Sequence, residues 1–197
     1  MSIPDYSTLC RYRNWLAQDD TLSELLQLIN RQLTEKNLKV EKASAAVIDA
    51  TIIQTAGSKQ RQAIEVDEEG QVSGQTTPSK DSDARWIKKN GLYKLGYKQH
   101  TRTDAEGYIK KLHITPANAP VVFVVEGLSK GTTTKRNRYL SKTRYVIEQS
   151  FGTLHRKFRY ARSTYFGLIK VSAQSHLKAM CLNLLKTANR LSAPVVA

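Results

Sequence analysis

Ala45-Ala46-Val47-Ile48-Asp49-Ala50-Thr51-Ile52-Ile53 is the stretch that decides the fold class. It is short, continuous and rich in β-branched side chains, the composition of a strand buried inside a sheet. One carboxylate, Asp49, stands in its middle. A charge there is costly unless something compensates it. Two compensations are open: a buried Lys or Arg partner, or use of Asp49 as a metal ligand or catalytic group.

Working outward, residues 54–90 are polar, rich in Gln, Ser, Thr, Gly and Lys, and show no hydrophobic period. They read as a long exposed loop with solvated charges, ending in Asp81-Ser82-Asp83-Ala84-Arg85-Trp86. Leu92 to His100 alternates apolar and polar side chains, the mark of a half-buried strand. Tyr108 to Thr115 reads as the next strand, with Asp104-Ala105-Glu106-Gly107 as the hairpin turn between them. Val121-Val122-Phe123-Val124-Val125 is a further apolar run with strand composition.

From about Lys135 the period becomes helical, marked by Tyr139, Tyr145, Val146, Phe151, Leu154 and Phe158. Arg144, Glu148 and His155 share one face of that helix. A last helix runs from about Ala173 to Leu191, with Leu177, Met180, Cys181, Leu184 and Leu185 expected on its buried side. Upstream, Pro4-Asp5 opens a helix striped by Leu9, Tyr12, Trp15 and Leu16. Asp20-Thr21 opens a second, striped by Leu22, Leu25, Leu26, Ile29 and Leu33. Helices and strands share one chain of 197 residues, so the fold class is α/β.

The net charge is +14 and is unevenly spread. Residues 1–129 hold 17 basic and 16 acidic side chains, whereas residues 130–197 hold 14 basic ones and a single acid, Glu148. An almost acid-free basic stretch is the footprint of a polyanion binder, which gains affinity by releasing phosphate counterions. No apolar run approaches the roughly 20 residues of a membrane span. The first residues lack a basic n-region and an apolar h-region, so no signal peptide is expected. Two distant cysteines, Cys10 and Cys181, exclude a disulfide framework and point to a reducing cytoplasm.

Together these segments resemble bacterial insertion-sequence transposases of the DDE type, in the group with a Y-(2)-R-(3)-E-(6)-K signature. Val47-Ile48-Asp49-Ala50-Thr51 resembles the family's first catalytic strand. Asp83-Ala84-Arg85-Trp86, Gly96-Tyr97-Lys98 with His100, and Leu112 to Asn118 resemble the segments that follow. Arg144-Tyr145-Val146-Ile147-Glu148 resembles its E-bearing helix.

The resemblance implies an RNase H-like mixed sheet with flanking helices, carrying Asp49 and Glu148 as catalytic and metal-binding groups. Residues 1–38 would be a partial, helical DNA-binding segment and 44–192 the catalytic domain. Two Mg²⁺ ions would clamp the attacking and leaving oxygens of DNA strand cleavage and transfer. Lys135, Arg136, Arg138, Lys142, Arg144, His155, Arg156, Lys157, Arg159 and Arg162 would contact double-stranded DNA at the element's terminal inverted repeats. A cytoplasmic, nucleoid-associated protein, open to assembly as a homo-oligomer, fits the same family.

The departures from the family pattern matter as much. The family places a second catalytic Asp on a strand between the positions of Thr115 and Glu148, yet no Asp follows Asp104 in this chain. Glu126 is the one carboxylate in that interval, and its neighbours match the loop before the family's strand. Thr134 then runs straight into Lys135-Arg136. The expectation is an internal deletion near 131–135, an incomplete sheet with an exposed edge, and a defective enzyme. The alternative is a non-catalytic protein that binds DNA through its C-terminal basic helices. Ser141 and His155 stand where the signature has Tyr and Lys. Zinc-ligand spacings, a P-loop and a nucleophile elbow are all absent from the sequence.

Overall fold

The computed structural model describes residues 4–39, 47–56, 81–119 and 133–192, with the side chains of 133–143 outside that description. Four strands, β1 (Val47–Gln54), β2 (Arg85–Lys89), β3 (Leu92–Thr103) and β4 (Ile109–Pro116), form one sheet. Four helices flank it: α1 (Tyr6–Leu16), α2 (Thr21–Glu35), α3 (Thr133–Arg156) and α4 (Leu168–Leu191). The α/β class is as the sequence implies. Every ladder among the described strands is antiparallel.

The 12-residue β3 is the spine. Its second half pairs with β1, from Val47↔Thr103 to Gln54↔Gly96, and with β4. Its first half pairs with β2. β2 lies in the stretch expected to be loop. Its sequence signal was the Asn90-Gly91 pair, with φ of 54° and 75°. Two consecutive left-handed residues are what a tight two-residue hairpin turn demands. The second hairpin is the one anticipated at Asp104. Asp104 Oδ1 accepts from the Glu106 and Tyr108 amides at 3.1 and 2.9 Å. Its Oδ2 faces Lys39 Nζ at 3.1 Å as an ion pair, with the lysine side chain 1% exposed.

In-register partners put their side chains on one face. Val47 and Ile53 on β1, Tyr97 on β3, and Leu112 and Ile114 on β4 share a face and are buried. They form one core with Leu22 and Leu26 of α2, Ile147, Phe151 and Leu154 of α3, and Val171, Ala179 and Met180 of α4. The N-terminal helix α2 thus packs into the same core as the sheet.

Two helix faces differ from the sequence expectation. The aromatic stripe of α1 is exposed: Leu9, Tyr12 and Trp15 are each more than half accessible, and the helix buries no residue. Asp5 does cap it, accepting from Thr8 N at 2.7 Å. α4 starts at Leu168, one turn earlier than expected, and its buried side is rotated. Leu177, Cys181 and Leu184 are exposed, while Gln174, His176, Asn183 and Thr187 are inside.

The reason for that rotation is polar. Asn183 is fully buried and grips the edge of β4: its Oδ1 accepts from Ile109 N and its Nδ2 donates to Ile109 O, both at 2.9 Å. Asn30 of α2 adds a second donor to Ile109 O at 2.9 Å. An open strand edge is thereby closed by side chains.

Candidate functional site

α3 crosses the sheet with Val146, Ile147, Ser150, Phe151 and Leu154 turned inward. On one flank, Ser150 Oγ donates to Gly107 O at 2.9 Å in the β3–β4 turn. On the other, His155 Nε2 lies 3.5 Å from Thr51 Oγ1 on β1. Glu148 is seven residues before His155 and Arg144 four before that, so all three lie along this second flank. Asp49 is two residues from Thr51 and shares its face of the strand. The fold therefore sets the two sequence-predicted carboxylates on elements that pack together, on the same side of the sheet.

Their environments differ. Asp49 is half-buried, and its Oδ1 accepts from the amide of Ala50 at 2.7 Å. Glu148 is exposed and pairs with Arg144 at 3.3 Å, with both side chains more than half accessible. Such an exposed pair contributes about 0.3–0.5 kcal/mol. Its orienting effect on the carboxylate is the larger consequence.

A two-metal centre needs a further hard oxygen donor converging with these two. Among the described residues no group of three or more His, Cys, Asp or Glu side chains is placed to hold a metal ion. Glu126 lies outside the described residues. Asp81 and Asp83 do not supply the third oxygen set. Asp81 is buried and accepts from Thr55 Oγ1 and the Tyr97 hydroxyl at 2.5 Å, and from Gly167 N at 3.1 Å. Asp83 accepts from Leu168 N at 2.8 Å. Both acids thus sit at the positive end of α4, where carboxylates are favoured. Burial, and then the Asp81 hydrogen bond, push the Tyr97 hydroxyl far up from its ordinary value, so it stays a donor. The expectation of solvated loop charges here is corrected: they anchor α4. Among the described residues, the donor set does not fit a two-Mg²⁺ site.

The basic residues separate into groups. Lys135, Arg136, Arg138 and Lys142 are on α3, and their side chains lie outside the described residues. Arg144 is exposed beside Glu148. Arg156, Lys157, Arg159 and Arg162 are exposed around the end of α3 and the turn after it. Arg159 takes a left-handed φ of 50° there. Arg162 reaches back to Thr55 O at 3.0 Å, which ties the turn to the end of β1. His155 does not join this cationic surface. It faces β1, and burial followed by nearby Lys94 lowers its pKa.

His176 is also lowered, chiefly by burial. A histidine with a depressed folded pKa binds fewer protons folded than unfolded. Stability then rises with pH through the window below the ordinary value of 6.5 and is lost as pH falls through it. Urea midpoints should therefore drop between pH 7.5 and pH 5. The drop should shrink in His155→Gln, whose amide retains the reach to Thr51.

The model for the family described as transposase DDE domain matches residues 41–122 and 123–184, in two abutting pieces. The transposase for insertion sequence element IS1106 of Neisseria meningitidis serogroup B is 73% identical over 230 residues, covering 95% of this chain and 80% of the relative. No solved structure matches the chain. The matched residues include β1 with Asp49 and the helix with Glu148, the two elements that the core packs together. On both the family model and this relative, the chain belongs to the transposase DDE domain family.

Proposed function

We propose that this chain is the DNA transposase of an insertion sequence that has lost Mg²⁺-dependent strand cleavage and transfer and retains binding to the element's terminal-repeat DNA. The observation that carries this reading is the donor set: Asp49 and Glu148 lie on neighbouring elements, and no third carboxylate is placed with them among the described residues.

The comparisons support an internal loss. The family model breaks into two pieces that meet between Val122 and Phe123. The alignment with the transposase for IS1106 spans 230 residues, more than the 197 of this chain, so that relative carries sequence with no counterpart here. That break lies about ten residues before the 131–135 junction suggested by the sequence, and both fall in the interval that would hold the second Asp. An RNase H-like core is part of the same reading, supported by the three antiparallel strands β1, β3 and β4 with α3 across them. A cytoplasmic, nucleoid-associated protein fits it too. Among the described residues, no helix is long and apolar enough to cross a membrane.

The test combines cleavage and binding on terminal-repeat DNA. No strand cleavage is expected with Mg²⁺ or Mn²⁺. Cleavage that vanishes in Asp49→Ala would refute the proposal. Binding is expected to survive Glu148→Ala. It should weaken about 10²–10³-fold between 50 and 200 mM salt, the slope for about four or five phosphates neutralised. Affinity that does not change with salt would remove the electrostatic account of the basic C-terminal third.

A further inference from the structure

An α-helix turns about 100° per residue, so seven residues nearly complete two turns. Val146, Ile147, Ser150, Phe151 and Leu154 are buried and define the inward side of α3. Gly152 stands opposite them, on the outermost line of the helix, in file with Tyr145. Glu148, Gln149 and Arg156 flank that line, and these three and Tyr145 are exposed. Inside an exposed helix face, glycine is less favourable than alanine. Packing does not require it here. Apart from its chain neighbours and the helix's own backbone, a Cβ at Gly152 would meet only Arg156 among the described residues. It would lie 3.4 Å from Nη2 and 3.9 Å from Cζ, ordinary contact distances.

The missing side chain leaves a shallow seat on the helix. Arg156 Nε donates to Gly152 O at 3.2 Å, which lays the guanidinium back over that seat. One turn before Gly152, the Glu148 carboxylate pairs with Arg144 at 3.3 Å, so the single acid of residues 130–197 is matched by a cation. Gln149 and Tyr145 add an amide and a hydroxyl to the same face, both groups that donate to phosphate oxygens.

We propose that Gly152 is where the DNA backbone comes closest to α3: a phosphate rests on the helix in this seat, held by the Arg156 guanidinium. The inference rests on the reading of the chain as a DNA-binding transposase and assigns one contact within it. Charge selects the occupant, since residues 130–197 hold 14 basic side chains against one acid, which suits a polyanion. Glycine explains the closeness, because any β carbon on the outermost line would hold the phosphate off the helix. The residue is thus unfavourable for the helix and useful to the interface. A contact of this kind fixes how the duplex lies across α3, beside Glu148, without reading its sequence.

The test sets folding against binding. The full chain and its Gly152→Ala, Gly152→Gln and Arg156→Ala variants are compared by urea unfolding and by titration with a terminal-repeat duplex over a range of salt. Gly152→Ala is expected to fold at least as stably as wild type yet bind about tenfold more weakly, the loss of one charge-assisted bond, with the salt slope reduced by about one. Gly152→Gln, which fills the seat, should lose at least as much. Arg156→Ala should show the same shift, and adding Gly152→Ala to it should weaken binding little further, since one phosphate is lost in either case. Alanine leaves Arg156 at ordinary contact distance, so its effect separates a phosphate seat from a glycine that only makes room for the guanidinium. Wild-type affinity in Gly152→Ala and Gly152→Gln overturns the proposal and leaves DNA binding by the chain standing. So does a Gly152→Ala protein less stable than wild type, which would show the chain itself packed on the seat. A wild type that does not bind the duplex overturns the DNA-binding reading, and the seat with it.

Discussion

Gly96→Val is expected to destabilise the protein by about 4 kcal/mol or more, a large share of the roughly 5–15 kcal/mol that keeps a domain folded. Gly96 sits at the last rung of the β1–β3 ladder, opposite Gln54. A Cβ there would lie 2.1 Å from Ile53 O, 2.8 Å from Gln54 Cα and 3.0 Å from the Ile53 carbonyl carbon. All three are backbone atoms, so no rotamer change relieves the overlap. The strands must separate at the point where Arg162 and Ser163 also bind the end of β1. Gly96→Ala should already show most of the loss, because Cβ itself makes the clash. Two other glycines calibrate the result. Gly91→Ala, at φ 75° with open space around it, should cost about 1 kcal/mol from conformation alone. Gly152→Ala meets only the flexible end of Arg156 at 3.4 Å inside α3, and should be neutral or stabilising by up to about 1 kcal/mol. Urea unfolding of the four variants checks the order. A Gly96→Ala protein as stable as wild type would show that β1 and β3 do not approach in this way.

Asn183→Leu is expected to cost about 2–5 kcal/mol despite nearly conserving volume. The substitution orphans two buried groups. The Ile109 amide loses its acceptor, and Asn30 Oδ1 loses the donor that reaches it at 3.0 Å. Each unsatisfied buried group costs about 1–3 kcal/mol, more than the bond itself was worth. Ile109 O keeps its bond from Asn30, so the damage is confined to those two atoms. The double variant with Asn30→Leu should cost less than the sum of the single changes, since each single change strands the other partner. Additive losses would mean that the two asparagines act independently, against the geometry found here. The midpoint should fall with the slope against urea unchanged, because the fold and the area exposed stay the same.

Much of the fold was legible because periodicity survives in single segments. β1, β3, β4, the Asp104 turn and the helices α2 and α3 stand where alternation or helical spacing put them. The errors share one cause: local pattern cannot say which neighbour an element meets. β2 was read as loop because five residues with a charged end give little alternation, although Asn90-Gly91 marked its turn. Leu9, Tyr12 and Trp15 have helical spacing, but no described element covers them. On α4 the apolar residues Leu177, Cys181 and Leu184 lost the inward position to Asn183 and Thr187. The requirement there is set by an unpaired strand edge far away in sequence. Asp81 and Asp83 were legible as acids but not as the anchors of α4, since the amides they bind lie more than eighty residues away.

The sequence by itself determined the family, through Asp49 in a β-branched strand and Glu148 in a basic helix, and it showed that no Asp follows Asp104. Those facts depend on residue identity and order alone. The tertiary structure decided where the acids sit and what they bind. It placed Asp49 and Glu148 on one side of the sheet and drew Asp81, Asp83 and Asp104 into structural bonds. Such outcomes depend on which backbone groups find partners across long stretches of chain, and an unpaired amide or carbonyl is invisible until its neighbours are in place.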